Sequence, residues 1–197
     1  CTASGHDSAA DTVVREKADS GEIQYEGSQR TACVFQEPRL MPWLTVWDNV
    51  TFGIRKKEKN RENISGIIST VGLEGFEKAY PSQLSGGMQQ RTAIARALAY
   101  RPSFIMMDEP FAALDYFTRE QMQKELLRVQ QKQRCSILFV THSIDEALLL
   151  GHKIVVIENG LVKTQVQVPE LAEERNLLDD MFISLKRRII ESLNTAD

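Results

Sequence analysis

Short apolar runs alternate along the chain with longer segments in which apolar residues recur every three or four positions. The runs predict strands at residues 22–25, 32–35, 103–107, 137–141, 153–157 and 161–168. Two of them, at 103–107 and 137–141, are bounded by polar residues and are typical of strands buried on both faces of a parallel sheet. The longer segments predict helices at residues 63–71, 86–100, 117–132 and 144–150. This alternation favours an α/β fold.

Two regions depart from the alternation. Residues from about 43 to 100 predict a helical subdomain inserted between strands, and the charge run at 55–62 predicts a solvated loop within it. Residues 160–197 predict a C-terminal strand and a helical tail that packs back on the domain. The apolar positions of that tail are Leu177, Met181, Leu185, Ile189 and Leu193. Together these segments predict one domain over residues 1–197.

Composition narrows the class of protein. A chain of 197 residues can bury one substantial core. The net charge of −3 offers no basic surplus for nucleic acid. No apolar run approaches the roughly 20 residues that span a bilayer, so a membrane role would require a partner. The 3 cysteines show no CxxC spacing, which indicates neither a disulfide framework nor a zinc site and favours a reducing compartment. Residues 1–11 lack the apolar core of a secretory signal and resemble a start inside a domain.

A Ser-Gly-Gly turn opens the helix predicted at residues 86–100. The first N–H groups of a helix are unpaired and lie at the positive end of its dipole, so they can bind an anion. The hydroxyl of Ser85 adds a donor, and Gly86 and Gly87 let the backbone approach a phosphate closely. The same residues are equally typical of a plain helix N-cap.

Two adjacent carboxylates, Asp108 and Glu109, follow the strand predicted at residues 103–107. They would lie at the carboxyl edge of the sheet, where open α/β folds bind ligands. Asp108 suits Mg²⁺, and Glu109 could activate a water as general base, although many strands simply end in solvated acids. His142 follows the strand at 137–141 at the same edge. Its imidazole could hydrogen-bond a terminal phosphate, although a lone histidine is more often structural.

Five motifs occur in a fixed order. They are VFQ at residues 34–36, LSGGMQQR at 84–91, FIMMDEP at 104–110, AALD at 112–115 and TH at 141–142. They resemble the Q-loop, signature, Walker B, D-loop and H-loop of ABC transporter ATPases, over roughly residues 20–160. The stretches at 40–54 and 141–157 are most similar to importers of the nitrate, sulfonate and taurine group.

The resemblance implies a parallel-sheet P-loop NTPase-like core whose first strands precede residue 1, with ATP and Mg²⁺ as cofactors. Gln36 would contact Mg²⁺ and the attacking water, and Asp108 would hold Mg²⁺ through water. Glu109 would be the catalytic base, and His142 would clamp the γ-phosphate. The remaining nucleotide-binding residues that it implies are Ser85, Gly86, Gly87, Gln89 and Asp115, which would act across a dimer interface.

The resemblance also implies partners and a location. These are transmembrane permease subunits, a second ABC ATPase subunit in a homo- or heterodimer and, indirectly, a solute-binding protein, at the cytoplasmic face of the membrane. Thr45 and Asp48 resemble a helix capping box. Trp43 and Trp47 would either form the surface that receives the permease or belong to the core.

An ATPase of this family needs a phosphate loop, G-x-x-x-x-G-K-[ST], and the sequence contains no such string. Family spacing places the loop near residues 1–8, CTASGHDS, where Gly5 remains but Asp7 and Asp11 add negative charge. Three explanations stay open. An N-terminal part of an ordinary ATPase lies outside this sequence, or the subunit is degenerate and completes a competent partner's site, or the domain is a regulatory or docking module.

Overall fold

The computed structural model describes residues 20, 30–133, 135–169 and 175–194. It divides into two compact units, Cys1–Val140 and Thr141–Asp197. The strand predicted at residues 22–25 and the place predicted for the phosphate loop lie outside the described residues. Within the part of the chain that is described, no helix is both long and apolar enough to cross a membrane.

The first unit is built on a parallel sheet of three described strands. They are β1 (Thr31–Val34), β2 (Phe104–Asp108) and β3 (Ser136–Val140), in the order β1-β2-β3. The register pairs Val34 with Met107 and Asp108 with Val140, so all three strands end at one edge. The predicted α/β class with a parallel sheet is confirmed, and each strand begins one residue earlier or later than predicted.

Burial differs between the two apolar strands. On β2, Ile105 and Met107 are buried. On β3, Leu138 and Val140 are 51% and 50% exposed, so the prediction of burial on both faces is wrong for this strand. The exposed residues of β3 alternate with the half-buried Ile137 and Phe139, so only one face of this strand is covered.

Four α-helices accompany this sheet in the described residues. They are α1 (Val46–Val50), α2 (Arg61–Thr70), α3 (Gly86–Ala99) and α4 (Tyr116–Gln133). Helices α1 and α2 pack on α3, which in turn contacts β1. The buried apolar side chains of these three helices include Val46, Val50, Ile64, Ile68, Ala93, Ile94, Ala97 and Leu98. Helix α3 therefore joins the helical region at residues 43–100 to the sheet.

Side-chain oxygens determine where the helices begin. The Oγ1 of Thr45 accepts a hydrogen bond from the N–H of Asp48 at 3.2 Å and donates to the Asp48 carboxylate at 2.7 Å. The Asn60 side chain accepts from the N–H of Asn63 at 3.0 Å. Each bond satisfies an N–H that the helix itself leaves unpaired. The predicted capping role of Thr45 is confirmed, with Asp48 bonding the threonine hydroxyl rather than its backbone.

The charge run at residues 55–62 is exposed throughout and contains a short 3₁₀ turn at Lys56–Glu58. Glu58 accepts a salt bridge from Arg30 at 3.1 Å. The prediction of a solvated loop is confirmed for residues 55–60, whereas Arg61 and Glu62 are exposed residues that begin α2.

The second unit contains α5 (Ile144–Leu150), the antiparallel hairpin β4 (Lys153–Glu158) and β5 (Leu161–Gln167), and α6 (Asp180–Asn194). Its core consists of Leu148, Ile154, Val156, Val166, Val168, Phe182 and Ile189. The tail packs on the hairpin as predicted, but through a shifted stripe. Phe182 and Ile189 are fully buried, whereas Met181 and Leu193 are 36% and 38% exposed. Leu177 and Leu185 also pack against this core, as predicted. The inward residues Phe182, Leu185 and Ile189 are spaced by three and then four positions, whereas the predicted stripe used steps of four throughout, which drift around a helix of 3.6 residues per turn.

Candidate functional site

The ends of β1 and β2 bring three predicted site residues to one edge of the sheet. Gln36 lies two residues beyond β1, Asp108 is the last residue of β2, and Glu109 follows it. Asp108 is close enough to β1 to act on Cys33: burial, and after it the negative charge of Asp108, raises the pKa of that thiol. The structure therefore brings Gln36, Asp108 and Glu109 to the same edge.

Glu109 stands at a sharp turn. Its φ of 43° lies in the left-handed region, which costs a residue with a Cβ about 1–2 kcal/mol. The surrounding structure holds it there: its N–H donates to the carbonyl of Val140 at 2.9 Å. Two residues on, Phe111 is buried and contacts the ring of Phe139 at a centroid distance of 5.5 Å. Backbone strain of this kind concentrates at functional sites, which agrees with the predicted role of Glu109.

The donor set at this edge fits Mg²⁺ only with help from other ligands. Asp108 is exposed, as a carboxylate that binds an ion through water must be. Within residues 30–133, 135–169 and 175–194, no three His, Cys, Asp or Glu side chains are grouped to hold a metal ion by themselves. A Mg²⁺ ion at Asp108 would thus complete its octahedron with waters and phosphate oxygens, which is its usual behaviour at nucleotides.

The signature segment begins at the N-terminus of α3. The Oγ of Ser85 accepts a hydrogen bond from the N–H of Met88 at 3.3 Å, so Ser85 is an N-cap. Ser85 and Gly86 are exposed, and a Cβ at Gly86 would meet nothing within 4 Å. Gly87 differs, because its Cβ would lie 3.3 Å from the Leu114 side chain and 3.4 Å from the carbonyl of Ala113. Gly86 thus offers open backbone, whereas Gly87 lets α3 pack on the turn that follows β2.

The side chain of Gln89 is engaged within the chain. Its Nε2 donates to the carbonyls of Pro81 at 3.0 Å and Leu84 at 3.3 Å. These bonds fix the segment that leads into Ser85. The predicted contact of Gln89 with nucleotide stays a prediction, and its nitrogen supports the turn.

Asp115 caps α4. Its carboxylate accepts from the N–H of Thr118 at 3.1 Å. Hydrogen bonds from Thr118, first from its side chain and then from its backbone, lower the pKa of this exposed aspartate. Asp115 therefore carries a full negative charge at neutral pH, and its predicted place at a dimer interface stays a prediction.

His142 belongs to the second unit, where it is exposed between two residues that organise the start of α5. The Oγ1 of Thr141 donates to the Glu146 carboxylate at 2.7 Å and accepts from the N–H of Ser143 at 3.0 Å. The backbone around His142 is therefore fixed by its neighbours. Its predicted action on a γ-phosphate stays a prediction.

Two residues to which the sequence pattern assigned no role hold the segment that carries Gln36. The Nε2 of Gln90 donates to the carbonyl of Phe35 at 3.1 Å, and the guanidinium of Arg96 donates to the carbonyls of Pro38 and Arg39. The available signal was their position. Gln90 is a buried polar residue and Arg96 a half-buried one, on a helix whose other buried positions are Ala, Ile and Leu apart from Thr92.

Known proteins share this sequence pattern. The model of the ABC transporter family matches residues 4–112. An uncharacterized ABC transporter ATP-binding protein of Methanocaldococcus jannaschii is 47% identical over 181 residues, 89% of this chain and 67% of that protein. The aliphatic sulfonates import ATP-binding protein SsuB of Bacillus subtilis is 38% identical over 185 residues, 90% of this chain and 72% of that protein. A protein of the same description from Pseudomonas fluorescens is 40% identical over 178 residues, with shares of 90% and 67%.

Solved structures agree with these relatives. A dimeric ATP-binding cassette in a post-hydrolysis state, bound to ADP and Pi, is 33% identical with a TM-score of 0.64, over 72% of this chain and 64% of that one. A dimeric bacterial ABC transporter cassette has a TM-score of 0.63 at 34% identity, with shares of 71% and 63%. The chain thus spans just under two thirds of the solved cassettes. The family match and these identities show that the chain belongs to the ABC transporter family, as one of its ATP-binding subunits.

Proposed function

We propose that this chain couples ATP binding and hydrolysis to the import of a small oxyanion of the nitrate, sulfonate or taurine kind. The observation that carries the proposal is the shared edge of β1 and β2, where Gln36, Asp108 and the strained Glu109 come together. The choice of solute is supported by the two sulfonate import proteins, which are 38% and 40% identical to it. The chain would work at the cytoplasmic face of the membrane, bound to permease subunits.

The residues of this chain divide the work. Mg-ATP, when bound, supplies the phosphoanhydride bond that water breaks. Asp108 holds water molecules around the metal ion, and Gln36 orients the attacking water from the neighbouring strand. Glu109 accepts the proton of that water as general base. His142 donates a hydrogen bond to the terminal phosphate.

The start of α3 serves a second nucleotide. Ser85 and Gly86 are exposed and present a hydroxyl and an unpaired N–H group, beside the half-buried Gly87, where a phosphate of an ATP bound by a partner subunit can be contacted. The two solved relatives are dimeric, which supports this arrangement. Asp115 would then lie across the interface.

The surface of the helical region supports a permease partner. Trp43 is 70% exposed, so the alternative that it belongs to the core is wrong. Trp47 is half-buried, and the guanidinium carbon of Arg61 lies 5.9 Å from the centroid of its ring. Phe52, Phe76 and Tyr80 are between 44% and 51% exposed in the same unit. Exposed aromatics of this kind mark protein interfaces.

A second candidate function stays open because residues 1–197 contain no G-x-x-x-x-G-K-[ST] string. In that case the chain is a degenerate subunit. It lends Ser85 and the two glycines to a competent partner and hydrolyses no ATP at its own carboxyl edge.

Two substitutions separate these candidates. If the chain hydrolyses ATP, Glu109→Gln lowers its turnover by about 100-fold or more, because the general base is lost. The matched control is Glu120→Gln, which removes an exposed carboxylate of α4 that pairs with Lys124. If the chain is degenerate, Glu109→Gln changes nothing and Ser85→Arg suppresses hydrolysis by the partner. A purified chain that binds no Mg-ATP in calorimetry, and whose Ser85→Arg variant leaves a partner unaffected, would contradict both.

A further inference from the structure

The segment that carries Gln36 is a short exposed loop after β1. Gln36 and Glu37 are exposed, whereas Phe35 and Pro38 on either side are half-buried. Arg39 adopts a φ of 44°, a left-handed conformation that a residue with a Cβ rarely takes, and its guanidinium lies 3.9 Å from the centroid of the Phe35 ring. An exposed loop with a strained residue needs external bonds to keep one conformation.

The first of these bonds comes from Gln90. Its side chain is fully buried, and its Nε2 donates to the carbonyl of Phe35 at 3.1 Å, across 55 positions of sequence. Its Oε1 finds no hydrogen-bond partner among the described residues. Burying an amide with one end unsatisfied is unfavourable, so packing alone gives no reason for a glutamine here.

The second bond comes from Arg96, about 1.7 turns further along α3. Its Nη1 donates to the carbonyl of Arg39 at 3.0 Å and its Nη2 to that of Pro38 at 3.1 Å. The planar guanidinium thus binds two successive carbonyls at once, which fixes direction as well as distance. Burial lowers the pKa of Arg96, so the solvation that the group loses has to be replaced by these carbonyls.

These bonds flank Gln36. Gln90 holds the residue before it, and Arg96 holds the residues two and three positions after it. Both donors belong to the same helix whose first turn is capped by Ser85. Because an α-helix of 14 residues is stiff, Gln36 and Ser85 are attached to one rigid element.

We propose that Gln90 and Arg96 are positioning residues that brace the Gln36 loop against α3, so that Gln36 and the Ser85 end of the helix move as one body. The functional consequence rests on the proposed function, in which Gln36 lies near the metal ion and Ser85 contacts the second nucleotide. The brace itself is a property of the chain without nucleotide.

Amide hydrogen exchange with and without Arg96→Met tests the brace. We expect the amides of residues 36–40, apart from Pro38, which has no N–H, to exchange about tenfold faster in the variant, because the loop opens without unfolding the rest. The matched control is Arg91→Met. Arg91 lies on the same helix and binds two carbonyls as well, those of Val71 and Gly72, each at 2.9 Å. This control should speed exchange at residues 71–75 and leave residues 36–40 unchanged.

Two further variants guard against general destabilisation. Arg96→Lys keeps the charge but reaches one carbonyl rather than two, so its exchange at residues 36–40 should lie between those of wild type and Arg96→Met. Gln90→Met preserves volume and removes the bond to Phe35, and it should release the same loop. Equal exchange at residues 36–40 in Arg96→Met and Arg91→Met would overturn the proposal.

Adding Mg-ATP tests the coupling. In the wild type, protection should increase together at residues 36–40 and at residues 84–88. In Arg96→Met, protection at 84–88 should persist while that at 36–40 is lost. Equal protection of both segments in the variant would overturn the coupling. A wild-type chain in which neither segment responds would contradict the proposed function, and the exchange measured without nucleotide would still decide on the brace.

Discussion

Helices α3 and α5 begin with the same kind of serine N-cap, but their first turns differ in charge. In α3 the Oγ of Ser85 accepts from the N–H three residues on at 3.3 Å, and in α5 the Oγ of Ser143 does the same at 3.3 Å. The first turn of α3 contains two glycines and no acidic residue. The first turn of α5 contains Asp145 and Glu146, and Glu146 also receives the hydroxyl of Thr141.

This difference in charge decides whether the N-terminus of a helix can bind an anion from outside. Each helix leaves unpaired N–H groups and a partial positive charge at its start. In α5 the chain's own carboxylates neutralise that charge, so the start is a closed structural element. In α3 the charge is left to solvent beside an open glycine, so an anion from outside can use it. Identical caps therefore do not imply identical roles.

The largest expected effect comes from giving α3 the charge of α5. In Gly86→Glu a carboxylate enters the first turn without a steric clash, since a Cβ there meets nothing within 4 Å. We expect ATP hydrolysis at the shared site to fall about 100-fold, because a phosphate-binding position becomes repulsive. The measurement is the steady-state rate of the assembled subunits.

The neutral variant Gly86→Gln is the matched control, with nearly the same shape. It should retain most of the activity that Gly86→Glu loses. The order of stability should be the reverse of the order of activity. Gly86→Glu should unfold at a higher temperature than Gly86→Gln, since the negative charge of the glutamate stabilises the helix dipole by about 0.3–1 kcal/mol. Equal loss in both variants would show that α3 needs a small residue there rather than a free positive end.

The next largest effect is on stability and concerns the first turn of α5. Glu146 is 8% exposed and binds the Thr141 hydroxyl at 2.7 Å, so Glu146→Ala leaves that hydroxyl without its acceptor. We expect a loss of about 1–3 kcal/mol in the free energy of unfolding, measured by denaturant titration. Asp145→Asn, which breaks the exposed 2.6 Å pair with Lys186, should cost about 0–1 kcal/mol. A reversed order would mean that Asp145 rather than Glu146 closes this end.

The sequence predicted most of the elements because the signals were local. The helix predicted at residues 144–150 was found with the same bounds, and the strands at the site were found within one residue. Only Met181 and Leu193 of the tail stripe were misplaced, because steps of four residues drift around a helix of 3.6 residues per turn. The exposure of Leu138 and Val140 on β3 depends on which neighbours cover a strand, and composition does not carry that information.

The site was predictable in part for the same reason. Motifs marked Gln36, Ser85, Asp108 and Glu109, and strand register brought the ends of β1 and β2 together. Arg96 was missed because its partners are backbone carbonyls 57 and 58 positions away. Every residue has a backbone carbonyl, so the residue types at those positions do not reveal the contact. The strain at Glu109 was equally invisible, because a left-handed φ of 43° is unusual for a glutamate and the residue type gives no sign of it.

A smaller effect should distinguish the capping role, which Ser85 and Ser143 have in common, from the binding of phosphate, which only Ser85 has. Ser85→Ala and Ser143→Ala each remove one side-chain acceptor, so each should lower the free energy of unfolding by about 1 kcal/mol. Only Ser85→Ala should also reduce ATP hydrolysis, because only that hydroxyl faces a phosphate in the proposed site. Paired denaturation and activity measurements check this. Similar activity losses in both would remove the contrast between the two helix starts.

The smallest effect lies at a third helix start, where a carboxylate is itself the cap. Hydrogen bonds from Thr118 hold the pKa of Asp115 below its ordinary value of 3.8, so this cap stabilises α4 fully above that pH and loses its effect as the pH falls through the folded-state pKa. Thr118→Val removes the hydroxyl and keeps the backbone N–H, so the pKa of Asp115 should rise toward its ordinary value without reaching it. Carboxyl NMR titration measures this, with Thr70→Val in α2 as control. An unchanged pKa would show that the backbone N–H alone sets the charge of this cap. The start of α4 would then differ from that of α5, where a side-chain hydroxyl binds the carboxylate.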